Sequence, residues 1–318
     1  MSAREAGRFA PSPTGPLHLG SLLAATGSYL DARARGARWL VRIEDIDTPR
    51  VIPGCADQML RTLEAYGFEW DGEVLYQSTR REAYHSACEQ LDASGRIFEC
   101  SCSRKELAGT HVADGDDQPQ GYPGTCRNGP TRPGPTAKRF RVSDRAIHFD
   151  DLFLGRQEFD LAVCGDVVVE RRDGLTSYQL AVVVDDAYQQ ITRVVRGADL
   201  LTSTPWQIDL LDAMSSPLPS YGHLPLVLEP DGAKLSKRMR ALPLDLSTAP
   251  QTLASTLTLL SQAPPPGLGS ATIKEVWNWA VAHWHPQVLA GLTRAPLSAA
   301  GDTKAVSTQK IVGCSEKY

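Results

Sequence analysis

Helical and strand patterns alternate along the first third of this 318-residue chain, and this alternation restricts the fold more than any other feature. The segment SLLAATGSYLDARARG has the pattern of a helix that ends at Gly36, and RWLVRIED follows it as an apolar strand. A further helix is predicted between Pro53 and Gly67. Another is predicted to begin at a capping pair formed by Thr79 and Glu82. A helix between successive strands returns the chain to the same edge, so the pattern predicts an α/β fold with a doubly wound parallel sheet.

The pattern changes in the middle of the chain. Residues 109–136 are dense in glycine, proline and aspartate, which indicates a loop-rich insert. Regular patterning returns with DVVVERRDG, and a later helix is predicted with Thr204 as its N-cap. Near the C-terminus TIKEVWNWAVAHWH is strongly helical. We expect its Trp277 and Trp284 to lie in the core rather than to stack on RNA.

Composition limits the possible partners. The chain is 42% hydrophobic and 22% charged, which suits a globular protein with one sizeable core. Its formal net charge of −4 provides no overall positive field, so RNA would have to be bound by local basic clusters. Each such cluster is otherwise an ordinary solvated face. The candidates are Arg33, Arg35 and Arg38; Lys138, Arg139 and Arg141; and Lys234, Lys237, Arg238 and Arg240.

Cysteine content and apolar runs indicate the compartment. Seven cysteines are an odd number in a long chain, which argues against a disulfide framework. The N-terminus has no apolar segment of the kind found in signal peptides. The longest aliphatic run, Leu180–Val184, is too short to cross a bilayer. We therefore expect a cytoplasmic protein without membrane contact, and no feature indicates an obligate protein partner.

Two elements suit a bound polyphosphate. The opening segment RFAPSPTGPLHLGSLLAA places His18 directly before a helix, whose free amide groups and positive dipole end attract phosphate. Gly20 would let a nucleotide approach the backbone. In KLSKR, Lys234 and Lys237 form a cationic clamp suited to a phosphoryl-transfer transition state. Taken singly, His18 is equally a helix cap and KLSKR a solvated charge run. Their order and their separation of about two hundred residues match a split nucleotide-binding fold.

Several segments together resemble the glutamyl-tRNA synthetases of class I: RFAPSPTGPLHLGS, LVRIEDID, VVVDD, VVRGADLL and KLSKR. HLGS is similar to the HIGH element of that family, with Ser21 in place of the final histidine, as glutamyl-type members allow. KLSKR is similar to its KMSKS element. The resemblance covers roughly residues 8–240. It is closest to a shortened branch that attaches glutamate to the base queuosine in the anticodon of tRNA(Asp). Fewer than eighty residues follow residue 245, too few for the large anticodon-binding part of ordinary members, which favours this branch.

The resemblance implies a site for L-glutamate built from guanidinium and carboxylate groups. Arg8 and Arg196 would bind the carboxylates, because arginine presents a planar fork to a carboxylate. Glu44, which follows an apolar strand, would bind the ammonium group. Tyr178 would hydrogen-bond the amino acid, although by its pattern alone it is a core tyrosine. The remaining glutamate-binding residues would be Phe9, Ala10, Pro11 and Ser12.

The resemblance also implies ATP with Mg²⁺ as a substrate and tRNA(Asp) carrying queuosine as the acceptor. His18, Gly20 and Lys237 would bind ATP, and His18, Lys234 and Lys237 would assist catalysis. No general base is needed, because the carboxylate of the amino acid is itself the nucleophile. The neighbouring acids are expected to be helix caps or structural groups, namely Asp45, Asp47, Asp185 and Asp186.

A zinc site is predicted in the insert. Cys100 and Cys102 form a CxC pair, and Cys126 follows 24 positions after Cys102. A small insert that is poor in apolar residues is stabilised by a metal, and thiolates favour tetrahedral Zn²⁺. The segment Tyr122-Pro123-Gly124-Thr125-Cys126 matches the YxGxC motif of the queuosine-directed branch, which implies Tyr122 as the fourth ligand. His111 or a water is the alternative, and three free cysteines without a metal is a further one.

These elements divide the chain into five expected parts. They are the first half of a nucleotide-binding domain at 1–96, a zinc-containing insert at 97–165, the second half at 166–225, the KLSKR loop with a small helical region at 226–300, and a tail at 301–318 that need not be ordered. Two other functions stay open from the sequence. One is an atypical glutamyl-tRNA synthetase that charges the tRNA 3′ end, and the other is a non-catalytic paralogue that binds tRNA or nucleotide.

Overall fold

The computed structural model describes residues 5–103, 106–107, 121–228 and 242–296. Three sets of residues from the sequence analysis lie outside these ranges: the KLSKR segment with Lys234 and Lys237, the alternative zinc ligand His111, and the tail at 301–318.

Helices and strands alternate through the described ranges. The helices are α1 (Leu19–Arg33), α2 (Cys55–Ala65), α3 (Arg81–Ala93), α4 (Leu161–Cys164), α5 (Tyr178–Tyr188), α6 (Thr204–Ala213), α7 (Ala249–Leu259) and α8 (Ile273–Ala282). The strands are β1 (Ala6–Phe9), β2 (Arg38–Ile43), β3 (Leu75–Tyr76), β4 (Ile97–Cys100), β5 (Ala137–Phe140), β6 (Ala146–Asp151), β7 (Gly155–Asp160), β8 (Val167–Glu170), β9 (Arg193–Gly197), β10 (Ser220–Leu224), β11 (Leu226–Leu228) and β12 (Arg294–Pro296). None of the helices in the described part of the chain has the length and apolar character needed to cross a bilayer.

A parallel sheet forms the centre of the fold. Strands β1, β2 and β3 pair in parallel with β2 in the middle, and β9 pairs in parallel with β10. The two groups meet where β1 and β9 begin. There the amide of Thr192 donates to the carbonyl oxygen of Ala6 at 2.9 Å, and the amide of Ala6 donates to Thr192 Oγ1 at 3.0 Å. The predicted α/β fold with a parallel sheet is confirmed.

The segment between the two groups of parallel strands is built from antiparallel pairs. Strands β4, β5 and β8 form one small sheet, and β6 and β7 form a hairpin that turns between Asp151 and Gly155. The hairpin contacts the parallel sheet directly, because the amide of Leu152 donates to the carbonyl oxygen of Tyr221 in β10 at 2.8 Å. A change in this segment can therefore reach the strands that position the site.

The C-terminal helices pack onto the first half of the sheet. Trp277 of α8 lies with its ring centroid 4.7 Å from that of Tyr29 and 4.8 Å from that of Phe68. Its indole Nε1 donates to the carbonyl oxygen of Tyr66 at 2.8 Å. Trp277 and Trp284 are both buried, which confirms their predicted place in the core. One aromatic cluster thus joins α1, the sheet and α8.

Two predicted helix caps are wrong. Thr79 lies in the 3₁₀ turn Gln77–Arg80, where its hydroxyl donates to the carbonyl oxygen of Tyr76 at 2.7 Å, and Arg80 is the N-cap of α3. Thr204 is the first residue of α6 and not its N-cap. In both cases the hydroxyl bonds to a group other than a free helix amide, so the local pattern did not decide its role.

Close packing of α1 on β10 leads to a stability prediction. A Cβ atom at Gly27 would lie 2.5 Å from Cδ1 of the fully buried Leu224. We expect Gly27→Ala to destabilise the fold by about 1–3 kcal/mol through overpacking, although alanine is the better helix former. Thermal unfolding measures the effect, and Gly15→Ala, where a Cβ meets no atom within 4 Å, is the control.

The clash also predicts non-additivity. Leu224→Val should cost less in the Gly27→Ala background than in the parent, because it removes part of the overlap. Equal costs in the two backgrounds would show that the clash is not the cause.

Candidate active site

The carboxyl ends of the parallel strands bring together the residues that the sequence selected for amino-acid binding. Arg8 lies near the end of β1, Glu44 directly follows β2, and Arg196 lies near the end of β9. Tyr178 is the first residue of α5, the helix that precedes β9. In open parallel sheets this edge is where ligands bind. The fold therefore places four side chains from distant parts of the chain at one edge.

A buried charge cluster supports the first two of these residues. Arg8 donates from Nε and Nη2 to the two carboxylate oxygens of Asp186 at 3.1 and 3.2 Å. Arg42 Nη1 donates to Asp186 Oδ1 at 2.8 Å, and Arg42 Nη2 lies 3.4 Å from Glu44 Oε1. All four side chains are buried. Asp186 is thus a structural acid, as expected from the sequence, and it holds two guanidinium groups in place.

Arg42 is a residue of the site that was not predicted from the sequence. It lies within an otherwise apolar strand, two positions before Glu44, so both side chains project from the same face. A charged residue in a buried strand needs a partner, and this is the signal that could have identified it.

Burial makes Glu44 a weaker acid than an exposed glutamate in the ligand-free protein. Desolvation raises its pKa to about 7, against the opposing effect of Arg42 and Arg8, while the carboxylates of Asp186 and Asp185 add to the rise. Asp186 shows the opposite balance. Although burial opposes it, contact with Arg8 and Arg42 holds the pKa of Asp186 below its usual range. Asp186 therefore stays ionised beside the two arginines, whereas the charged form of Glu44, despite its contact with Arg42, would be stabilised further by a bound cation.

Arg196 is held from several sides. Its Nη2 donates to Thr204 Oγ1 at 2.9 Å, its Nε donates to His223 Nε2 at 3.2 Å, and its Nη1 lies 3.4 Å from the hydroxyl oxygen of Tyr178. Tyr178 is mostly buried, and burial raises its pKa. Its hydroxyl meets a guanidinium, whereas its pattern alone had suggested a core tyrosine.

A cavity of about 600 Å³ lies beside these residues. Ser12, Glu44 and Tyr178 line one part of it, and Cys100 and Cys102 line another. Arg8 and Arg196 do not line the cavity themselves, but Arg196 Nη1 lies 3.4 Å from the hydroxyl oxygen of Tyr178 in its wall. The space therefore extends from the candidate amino-acid site to the cysteines of the insert.

The segment between β1 and the cavity contributes mainly backbone. The ring of Phe9 points into the core, where it stacks on Trp39 with centroids 6.3 Å apart. The carbonyl oxygen of Pro11 accepts a hydrogen bond from the amide of Glu44 at 2.9 Å. Ala10 lies between them, and Ser12 reaches the cavity. This loop thus fixes the position of Glu44.

His18 is the N-cap of α1. Its Nδ1 accepts from the amides of Gly20 and Ser21 at 3.1 and 3.4 Å, and the amide of His18 donates to Ser21 Oγ at 2.7 Å. Because Nδ1 accepts, the proton of the neutral ring lies on Nε2. A Cβ at Gly20 would lie 3.0 Å from Cε1 of His18, so glycine leaves room for the ring. His18 can cap the helix and bind a phosphate at the same time, since capping uses Nδ1 and a phosphate would be bound by Nε2–H.

Three cysteines converge in the insert. The Sγ atoms of Cys100, Cys102 and Cys126 lie within 4.8 Å of one another. The hydroxyl oxygen of Tyr122 is 3.5 Å from the sulfur of Cys100 and 3.9 Å from that of Cys102, and it accepts from the amide of Cys126 at 2.7 Å. The guanidinium of Arg139 covers the ring of Tyr122, 4.0 Å from its centroid. Three thiols and a phenol oxygen around one point suit a tetrahedral metal ion.

Comparison with known proteins identifies the family. Residues 6–257 match the catalytic domain of class I tRNA synthetases for glutamate and glutamine. The glutamyl-Q tRNA(Asp) synthetase of Aromatoleum aromaticum is 52% identical over 87% of this chain and 88% of its own. That of Geobacter sulfurreducens is 50% identical over 89% and 93%. The chain belongs to the glutamyl-Q tRNA(Asp) synthetases. This confirms the resemblance drawn from the sequence.

Solved structures agree with this family. A glutamate tRNA ligase from Elizabethkingia meningosepticum, in complex with its amino acid, superposes with a TM-score of 0.74 at 26% identity, over 94% of this chain and 68% of the other. A glutamate-tRNA synthetase from Elizabethkingia anophelis gives a TM-score of 0.73, also at 26% identity, over 92% and 68%. This chain thus shares its fold with two solved glutamate-tRNA synthetases.

The raised pKa of Glu44 predicts a gain in stability when its charge is removed. A carboxyl whose folded pKa lies above its unfolded value stabilises the fold at low pH, and that contribution is lost as pH rises through the folded value, here about 7. Glu44→Gln should therefore be more stable than the parent at pH 8, by up to roughly 3 kcal/mol, with the difference shrinking below pH 6.

Thermal unfolding of the ligand-free proteins across this pH range provides the measurement. The exposed Glu64→Gln is the control and should follow the parent at every pH. A Glu44→Gln protein that is less stable than the parent at pH 8 would contradict the raised pKa of Glu44.

Proposed function

We propose that this protein activates L-glutamate with ATP and transfers it to queuosine in the anticodon of tRNA(Asp). The observation that carries the proposal is about 50% identity, over nearly the whole chain, to relatives named glutamyl-Q tRNA(Asp) synthetase. The likeness to a glutamate tRNA ligase in complex with its amino acid supports the choice of amino acid. The contacts at the sheet edge supply groups of the required charge.

Glutamate binding is assigned to the groups at that edge. Arg196 and Arg8 bind the carboxylates, Glu44 binds the ammonium group, and the hydroxyls of Tyr178 and Ser12 complete the contacts. Asp186 already uses Nε and Nη2 of Arg8, so Nη1 is the nitrogen of Arg8 directed to substrate. The remaining contacts are assigned to the backbone of Phe9, Ala10 and Pro11, which lead into Ser12.

ATP binding is assigned to the start of α1 and to the KLSKR segment. The Nε2–H of His18 donates to a phosphate oxygen, next to the positive end of the α1 dipole, while Gly20 keeps the ring in place. Lys234 and Lys237 neutralise charge that develops on the phosphates, and Lys237 also binds ATP. Mg²⁺ arrives with ATP and is held chiefly by phosphate and water oxygens.

Activation then needs positioning and charge stabilisation rather than proton transfer. A carboxylate oxygen of glutamate attacks the α-phosphorus of ATP, the bond from that phosphorus to the bridging oxygen breaks, and pyrophosphate leaves. In the second step a hydroxyl of the queuosine diol attacks the glutamyl carbonyl carbon, and AMP leaves with the bonding electron pair. The product is an ester, and the hydroxyl proton is lost to solvent.

The acceptor is tested with tRNA(Asp) from cells that make queuosine and from cells that do not. Labelled glutamate should attach only to the modified tRNA, because the diol that receives it is absent from the other. After nuclease digestion the label should stay with an anticodon-loop fragment and be released by mild alkali. Equal labelling of both tRNAs, with the label on the terminal adenosine, would instead show charging of the 3′ end.

We further propose that the insert holds one structural Zn²⁺ through Cys100, Cys102, Tyr122 and Cys126. The convergence of three sulfur atoms and one phenol oxygen supports this ligand set. When bound, the ion would cross-link the end of β4 to the loop before β5. That cross-link would hold the part of the cavity wall that Cys100 and Cys102 form.

The metal proposal predicts about one zinc per chain in purified protein, measured by elemental analysis. Cys126→Ser should lose the metal and lower the unfolding temperature, because the buried apolar cluster around the ligands is small, with Phe98 beside Cys100 and Cys126. Cys88→Ala, at a buried cysteine outside the cluster, should keep it. Zinc retained by Tyr122→Phe but lost by His111→Ala would assign the fourth position to His111.

A further inference from the structure

A buried chain of hydrogen bonds runs behind the candidate glutamate site. Asp151 Oδ2 lies 2.5 Å from His223 Nδ1, and His223 Nε2 accepts from Arg196 Nε at 3.2 Å. The side chains of Asp151 and His223 have no exposed surface. Neither residue lines the cavity, and with no exposed side-chain surface neither can contact a ligand bound in it.

These hydrogen bonds form a relay from Asp151 through His223 to Arg196. Its donors and acceptors determine where the imidazole proton of His223 lies. A guanidinium Nε can only donate, so the facing Nε2 of His223 must accept. The proton of the neutral ring therefore lies on Nδ1 and is donated to Asp151. Burial lowers the pKa of His223, and the charge of Arg196 lowers it further while Asp151 opposes both. The ring stays neutral, as this arrangement requires.

Asp151 is itself fixed in the ionised form. Its Oδ1 accepts from the amides of Phe153 and Leu154 at 3.0 Å each and from the amide of His223 at 3.2 Å. Burial opposes ionisation, but the contacts with His223 and these amides hold the pKa of Asp151 below its usual range. The carboxylate thus has one oxygen bonded to backbone and the other left for the imidazole.

The relay and two neighbouring groups together hold the guanidinium of Arg196 in one orientation. His223 holds Nε, and Thr204 together with the carbonyl oxygen of Leu200 holds Nη2. These contacts leave Nη1 directed towards the hydroxyl of Tyr178 in the cavity wall. A buried guanidinium that lost its Nε acceptor would keep an unsatisfied donor and would turn to find a partner. The direction of Nη1 would change with it.

We propose that Asp151 and His223 are positioning residues. They orient Arg196 and thereby set the affinity for glutamate, although neither residue touches glutamate. The proposal rests on the assignment of Arg196 to glutamate binding. Its structural basis is that the β6–β7 hairpin, through Asp151, determines which nitrogen of His223 carries the proton. The hairpin of the inserted segment thereby acts on an arginine of the parallel sheet.

Asp151→Asn tests the relay with almost no change in shape. The amide oxygen can still accept the three backbone amides, but the NH₂ group now donates to Nδ1 of His223. The ring proton must then move to Nε2, where it faces the Nε–H of Arg196 at 3.2 Å. Its other neighbour, Thr204 Oγ1 at 3.3 Å, is the acceptor that holds Nη2 of Arg196, so a bond from Nε2–H to it would compete with that contact. Two donors in contact repel, so we expect KM for glutamate in ATP–pyrophosphate exchange to rise about tenfold or more. KM for ATP should stay close to that of the parent.

Two further variants separate positioning from a general loss of structure. Asp150→Asn, at the exposed neighbouring position, should behave as the parent. Adding His223→Gln to Asp151→Asn should bring KM for glutamate back towards the parent value, because a glutamine amide can rotate to present its oxygen to Arg196. Thermal unfolding confirms that each variant is folded.

Nitrogen NMR of the histidine rings reads the tautomer directly in the ligand-free protein. The proton of His223 should lie on Nδ1 in the parent and on Nε2 in Asp151→Asn. An unchanged tautomer, a KM for glutamate within about twofold of the parent, or parallel rises in both KM values would overturn the relay. If the parent shows no glutamate-dependent exchange, the proposed function fails, while the NMR result still decides the relay.

Discussion

The contact of Asp186 with Arg8 and Arg42 is the interaction on which the site depends. Two guanidinium groups share this buried carboxylate, and removing it would take from Arg8 the acid that it contacts and leave Arg42 with Glu44, at 3.4 Å, as its acidic contact. The contact joins α5 to β1 and β2, so it also fixes how the second half of the sheet faces the first. Arg42 in turn reaches Glu44. The positions of two candidate substrate-binding groups, Arg8 and Glu44, therefore follow from one acid that is not itself a candidate for substrate binding.

Local patterns were enough to predict the fold class. Helix and strand periodicity, proline near helix starts and glycine after helix ends are all properties of short segments, and they identified α1, β2, α2 and α3. The cysteine cluster was also predictable, because its members lie close together in sequence. The Leu180–Val184 run was less informative, since β-branched residues in a buried segment suit a strand or a helix, and packing made it part of α5.

The supporting residues of the site could not be read from the sequence because their partners are distant. Arg8 and Asp186 are 178 positions apart, and Asp151 and His223 are 72 apart. No periodicity links such pairs, and a lone aspartate or histidine has several roles open to it. Thr204 is an example of a residue whose role the local sequence did not reveal. Its place before a proline indicated a helix cap, but its hydroxyl bonds Arg196, which only the folded chain brings near.

The two candidate carboxylate-binding arginines differ in how their charge is compensated. Arg8 is in direct contact with the carboxylate of Asp186, so a second carboxylate bound to it shares the guanidinium with a protein acid. The recorded hydrogen-bond partners of Arg196 in the described residues are neutral, namely an imidazole, two hydroxyls and a carbonyl. Along these hydrogen bonds the first carboxylate is that of Asp151, on the far side of the imidazole of His223. Since attraction falls with distance, Arg196 retains more of its positive potential towards an incoming carboxylate. An acid placed behind a neutral ring can thus orient a buried arginine without competing for its ligand.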